Sequence, residues 1–237
     1  MNFDEIINLK NPEQDNKRVL GLFPSPMIQG QIRDFEQKEI NKIESMVNEL
    51  FESVKNRSKS KISSENLNKD NQLYDEEENT YIFDTDELSG LKKYLENIVN
   101  DVAKNLYKDE SDSEYYITQS WINVLPPGGF HQRHHHVNSI FSGTLYIKTI
   151  ENDSIIFNAE KHSTDFLKYF KSNSRNEWNS VQYILEVNDG DFVIFPSYID
   201  HEVPYNNSKE LRVSIAFNTF VRGTIGETYK FTELKIK

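Results

Sequence analysis

From Glu114 onward the apolar residues recur at every second position, in short runs parted by Gly, Pro, Asn and Asp, and no other feature restricts the architecture as much. Eight runs read as strands: 115–124, 130–137, 142–150, 154–157, 181–187, 191–195, 199–204 and 210–220. That many short strands, with no helix between most of them, predict a double-sheet jelly roll or barrel. The one long interruption, 158–180, carries Phe166, Leu167, Tyr169, Phe170 and Trp178 and is expected to cover an edge or mouth and to offer a homodimer contact.

Before Glu114 the period is helical. Phe35, Ile40, Ile43, Met46, Val47, Leu50, Phe51 and Val54 form one apolar stripe along an expected helix at 34–56. Leu88, Leu91, Leu95, Ile98, Val99 and Val102 mark a second helix at about 86–106, with Asp84 or Asp86 placed to cap it. The stretch from Leu22 to Ile28 holds two prolines, which forbid helix and suit an extended entry or edge strand. Residues 57–79 have no periodicity and read as a loop or a disordered segment. The expected organisation is one structural domain, in which an N-terminal strand and helices (1–113) pack on a β core (114–237).

Of 237 residues, 38 are acidic and 27 basic, a net charge of −11 that disfavours duplex nucleic acid and anionic membranes as partners. Cysteine is absent, which excludes disulfides, thiolate metal sites and cysteine nucleophiles and leaves only His and carboxylates to hold a metal. No signal-like or membrane-length apolar run is present, so the expectation is a soluble cytoplasmic protein.

All six histidines lie in the second half, and His131, His134, His135 and His136 crowd into GFHQRHHHVNS. On a strand, His134 and His136 face one way and His135 the other, so the first two can chelate one ion. His201, in FPSYIDHEVP, is the natural third ligand. Asp200 or His135 would substitute if the register slipped by one. His162 receives no role.

In the run ELRVSIAFN, Leu211, Val213, Ile215 and Phe217 share an apolar face, while Arg212, Ser214, Ala216 and Asn218 form the opposite one. A guanidinium on an inner sheet face needs an anion. Either a ligand carboxylate, with Ser214 as a further donor, or a nearby Asp or Glu would meet that need.

The order His-x-His, distant His, then Arg-x-Ser resembles the Fe(II)- and 2-oxoglutarate-dependent dioxygenases. SWINVLPPGGFHQRHHHVNSIFSGTLYI, GDFVIFPSYIDHEV and LRVSIAFN are most similar to the 2-oxoglutarate/Fe(II) oxygenases common in phages and marine bacteria. The resemblance implies a double-stranded β-helix (jelly-roll) core with two packed N-terminal helices. It makes His134, His136 and His201 the Fe(II) ligands and Arg212 with Ser214 the grip on 2-oxoglutarate. Asn123 matches a position that touches 2-oxoglutarate in some relatives, and Tyr146 is a further candidate. His136 stands where most of the superfamily has a carboxylate. The implied activity is hydroxylation of an unidentified small-molecule or peptide substrate. Two other readings stay open: a cupin-type three-histidine enzyme without 2-oxoglutarate, for which Arg212 would have no task, and a non-enzymatic jelly-roll binding or virion module.

Overall fold

A computed structural model of the chain describes residues 25–59, 80–159, 171 and 179–237. The elements in chain order are β1 (Ile28–Gln31), α1 (Gln37–Lys59), α2 (Ser89–Asp101), β2 (Glu114–Leu125), β3 (His131–His134), β4 (Phe141–Lys148), β5 (Ser154–Asn158), β6 (Gln182–Glu186), β7 (Asp191–Pro196), β8 (His201–Val203), β9 (Arg212–Ile225) and β10 (Leu234–Ile236). The expected loop at 57–79 and interruption at 158–180 fall almost wholly outside the described residues, and so does His162.

The strands form two antiparallel sheets, the double-sheet jelly roll that the alternation predicts. One has six strands, with the path β1-β7-β4-β9-β10 and β2 paired to β9, and the other runs β3-β8-β5-β6. The described end of the expected entry, from Ser25, leads into β1, which among the described strands pairs with β7 alone and stands at the end of the sheet order, where missing N–H donors are tolerated.

β9 shows how the period-two pattern organises the molecule. Val213, Ile215 and Phe217 point outward and are buried in one cluster with Leu88, Leu91, Leu95 and Val99 of the α2 region and Ile43 of α1. Burying each such side chain stabilises the fold by about 1.5–3 kcal/mol, so the outer face of the six-stranded sheet is closed by the helices. Arg212, Ser214 and Ala216 face inward, toward the other sheet. A second, smaller cluster of Ile155, Phe157, Leu185, Val187, Val193 and Phe195 fills the space between the sheets. Among the described residues, the helices contribute none to the cavity described below.

Three local expectations are corrected. α1 runs on to Lys59, past the expected end at 56, and Ile40 of its stripe is exposed. Neither Asp84 nor Asp86 caps α2. The helix is entered through two 3-10 turns, Ile82–Asp84 and Asp86–Leu88, which bury Ile82, Phe83 and Leu88, and Leu88 itself occupies the cap position without a side-chain bond. Burying three large apolar groups outweighs one capping hydrogen bond, worth about 1 kcal/mol. Third, the strand expected over 130–137 stops at His134, and the chain turns through Asn138 at a left-handed φ of 54°. No described helix is long and apolar enough to cross a membrane.

Candidate metal centre and adjoining anion pocket

β3 and β8 pair so that His134 lies directly opposite His201, which makes the two imidazoles cross-strand neighbours on one face. Their ring centroids are 4.3 Å apart. His136 reaches them from the turn that follows β3 instead of from a strand. Its backbone N–H donates to Ser197 O at 3.0 Å, and Ser197 Oγ is tied to Ser139 and Ser142 at 2.7 and 2.8 Å. This hydroxyl cluster pins the turn, so His134 and His136 converge although the strand periodicity invoked to join them ends between the two.

The ring nitrogens are sorted by their partners. His134 Nδ1 lies 2.7 Å from Gln132 O, and His201 Nδ1 lies 3.0 Å from Ile199 O. A carbonyl only accepts, so each Nδ1 carries the proton and each Nε2 presents a lone pair. His136 Nε2 sits 3.3 Å from His201 Nε2. One ligand nitrogen from each of the three residues falls in a group within 4.8 Å. Burial, and then the charge of His134, lowers His136 to about 4 and His201 to about 3, which keeps both imidazoles neutral and able to coordinate. Nitrogens about 2.0–2.1 Å from one divalent ion are themselves roughly 3 Å apart, so the spacing at His136 and His201 fits a shared metal.

His135 and Asp200 belong to a different constellation. Asp200 accepts from Arg133 Nε at 2.8 Å and pairs with His135 Nδ1 at 3.0 Å, out on the rim. Neither joins the three-histidine group. The substitution that a register slip would have allowed does not occur.

His131 is the residue that sequence reasoning passed over. Strict alternation would put it on the opposite face from His134, yet the β3–β8 register shifts between the two. Such a bulge returns residues three apart to one side. The His131 ring lies 4.1 Å from that of His134 and lines the same cavity. Burial, followed by the neighbouring imidazoles and Arg212, lowers it to about 3. The only sequence signal was its place in the histidine cluster.

The cavity continues from the histidines across the inner face of the six-stranded sheet. Asn123 pairs with Ser214, and Ser214 with Tyr146, so three strands set these residues in a row. Leu125 opposite Arg212 forms the next row, and Trp121 opposite Ala216 the previous one. All of them line the cavity, together with Thr144, Ile155, Phe195 and Val203. The Trp121 ring stands 6.0 Å from that of His136.

Arg212 is only 3% exposed, and it already has a protein anion: its Nε donates to both carboxylate oxygens of Asp153, at 2.9 and 2.8 Å. Of the two anion sources open at the sequence level, the nearby acid is present, so the guanidinium has a task even without a ligand. Its Nη1 reaches Ser214 Oγ at 3.4 Å, and its Cζ lies 5.1 Å from the Tyr146 ring centroid. The Tyr146 hydroxyl is fully buried and, among the described residues, has no hydrogen-bond partner. Burial raises its pKa, so it stays a neutral donor. An orphaned buried hydroxyl beside a guanidinium fork and a serine matches what a carboxylate end of a dicarboxylic acid needs.

Residues 119–218 match the family model described as "Putative 2OG-Fe(II) oxygenase", where 2OG is 2-oxoglutarate. No curated protein matches the chain. Among solved structures it is similar to the non-heme alpha ketoglutarate dependent carbocyclase SnoK from nogalamycin biosynthesis, at 15% identity and a TM-score of 0.50, over 82% of this chain and 80% of that one. It is also similar to a Pseudomonas putida prolyl-4-hydroxylase, at 13% identity and a TM-score of 0.43, over 80% and 91% of the two chains. A 2OG-Fe(II) oxygenase family oxidoreductase from Burkholderia pseudomallei matches at 10% identity and a TM-score of 0.39 over 58% of this chain, which spans 53% of that relative. At such identities the likeness to SnoK is one of fold, a jelly roll with helices against one sheet. The segment similar to the 2OG-Fe(II) oxygenase family contains Asn123, His134, His136, Tyr146, His201, Arg212 and Ser214, that is, every residue of the metal group and the anion pocket expected from the sequence.

Proposed function

We propose that the chain is an Fe(II)- and 2-oxoglutarate-dependent dioxygenase that hydroxylates a C–H bond of a small-molecule or peptide substrate. One observation carries the reading: three imidazoles converge in a cavity that is also lined by Arg212, Ser214 and a Tyr146 hydroxyl without a hydrogen-bond partner among the described residues. Fe(II) with 2-oxoglutarate supplies the oxidation, in which dioxygen converts 2-oxoglutarate to succinate and carbon dioxide while a substrate C–H becomes C–OH.

The protein's own residues bind, orient and exclude water. His134, His136 and His201 hold the metal through nitrogens whose tautomers are fixed, for His134 and His201, by backbone carbonyls. The Arg212 terminal nitrogens, Ser214 and Tyr146 take the remote carboxylate of 2-oxoglutarate, and Asn123 lies beside them in the same row. Leu125, Ile155, Phe195 and Val203 keep the cavity walls apolar, and a site poor in water strengthens each charged contact. His136 in place of a carboxylate leaves the metal complex one unit more positive, which favours an anionic 2-oxo acid as co-ligand.

The test is anaerobic addition of Fe(II) and then 2-oxoglutarate. The metal-to-keto-acid absorption should appear with both present, and dioxygen should then yield succinate. Metal binding with no response to 2-oxoglutarate would leave the cupin-type three-histidine reading instead.

A further inference from the structure

The Asp153 carboxylate belongs neither to the metal group nor to the residues lining the cavity, yet it accepts both Nε hydrogen bonds of the Arg212 that does line it. We infer that Asp153 is a positioning residue that aims the Arg212 fork at the cosubstrate, an inference that rests on the function proposed above and deepens it. Asp153 is 4% exposed and is fixed by three segments of chain. Its N–H donates to Ile150 O at 3.1 Å, its carbonyl accepts from Val187 N–H at 3.1 Å, and the next residue, Ser154, opens β5. The carboxylate therefore has a set place, against which a long side chain can be oriented.

An arginine offers one Nε–H and four N–H on its terminal nitrogens. The usual bidentate pairing with a carboxylate consumes one edge of the fork. Here Asp153 uses Nε alone for both of its oxygens. Among the described residues, the terminal nitrogens make one hydrogen bond of ordinary geometry, the long 3.4 Å one to Ser214 Oγ. The two terminal nitrogens are thus left for an incoming carboxylate, on the side where Ser214 and the Tyr146 hydroxyl line the cavity. Without Asp153, a side chain with four rotatable bonds would have no reason to hold that pose, and ordering it would be charged to ligand binding.

The experiment titrates 2-oxoglutarate into Fe(II)-loaded protein under anaerobic conditions and, separately, follows the Arg212 Nε–H resonance in ¹⁵N-labelled protein. In wild type the Nε–H should exchange slowly. Asp153→Ala should abolish that protection and weaken 2-oxoglutarate binding at least tenfold, with Fe(II) affinity within threefold of wild type. Asp153→Asn, which keeps one acceptor for Nε, should fall between the two and decides the matter if the alanine variant does not fold. Unchanged 2-oxoglutarate affinity in a folded Asp153→Ala would overturn the inference. So would tighter binding by Asp153→Asn, because Asp153 would then act only by its charge. If wild type takes no 2-oxoglutarate, the proposed function falls, and the resonance still decides the placement of Arg212: protection lost in Asp153→Ala, or reduced in Asp153→Asn, upholds it, and absence of protection in wild type refutes it.

Discussion

His136 and His201 lie with ring planes 5° apart and Nε2 atoms 3.3 Å from each other. The His201 Nε2 carries a lone pair, since its proton is on Nδ1 toward Ile199 O, so only a proton on His136 or a shared cation makes this approach favourable. His201→Ala should lower Fe(II) affinity at least a hundredfold in an anaerobic titration. It should also remove the metal-dependent rise in melting temperature, which for wild type corresponds to about 2.7 kcal/mol at a hundredfold excess of metal over Kd. Unchanged affinity would dismiss this set of ligands.

Asp200 provides the contrast, because it adjoins His201 in sequence and is yet turned to Arg133 and His135. Burial alone would raise its pKa, but the hydrogen bonds from Arg133 and His135 outweigh that and leave the carboxyl below its usual value. Pairs on an open rim contribute about 0–1 kcal/mol. Asp200→Asn should therefore change stability by no more than about 1 kcal/mol and Fe(II) affinity by less than threefold. A loss comparable to that of His201→Ala would place Asp200 among the ligands.

How much of this was readable beforehand follows from where periodicity holds. From Ser120 to Leu125 of β2 and from Arg212 to Phe217 of β9 the side chains alternate without interruption, so the sequence already separated Arg212 and Ser214 from Val213 and Ile215. The three-histidine group was also anticipated, though His136 arrives by a pinned turn and not by the strand face assumed for it. What escaped were features set by register and by contacts distant in sequence. The bulge that swings His131 to the side of His134 leaves no local mark. The match of Arg212 to Asp153 joins residues 59 apart, and an acidic chain offers many other partners.

Stability should depend on pH through the buried imidazoles. Burial, and then neighbouring charges, lowers His131 to about 3, His136 to about 4 and His201 to about 3, from 6.5. As pH falls through about 6.5 the unfolded chain takes up protons that the folded chain refuses, so stability is complete above that value and declines below it. Each group contributes a slope of up to about 1.4 kcal/mol per pH unit. The metal-free protein should lose melting temperature between pH 6.5 and 5, and His131→Gln should reduce that slope by about a third. A flat profile over this range would mean that the imidazoles are solvated.

Gly143 faces Phe217 across β4 and β9, and a Cβ added there would overlap the Phe217 ring. Phe217 is fully buried and packs edge-on against Phe83 at 6.0 Å, so it has nowhere to move. Gly143→Ala should destabilise by about 1–3 kcal/mol through overpacking, read from urea unfolding, and Phe217→Leu in the same chain should recover part of the loss. Wild-type stability in Gly143→Ala alone would show that the outer face is looser than this contact implies.

Tyr146 brings stability and ligand binding into opposition. Its hydroxyl is buried beside Arg212 with no hydrogen-bond partner among the described residues, and an unmet buried hydroxyl costs about 1–3 kcal/mol. Tyr146→Phe removes the hydroxyl and keeps the ring that packs with Val193 and Phe195, so the ligand-free protein should become more stable by about 1 kcal/mol in urea unfolding. The same hydroxyl is the donor that a 2-oxoglutarate carboxylate would satisfy, so the variant should bind 2-oxoglutarate about ten- to a hundred-and-fiftyfold more weakly, as expected for one hydrogen bond to a charged group. The two shifts must have opposite sign. A variant both less stable and unchanged in 2-oxoglutarate affinity would show that the hydroxyl serves the fold and not the cosubstrate.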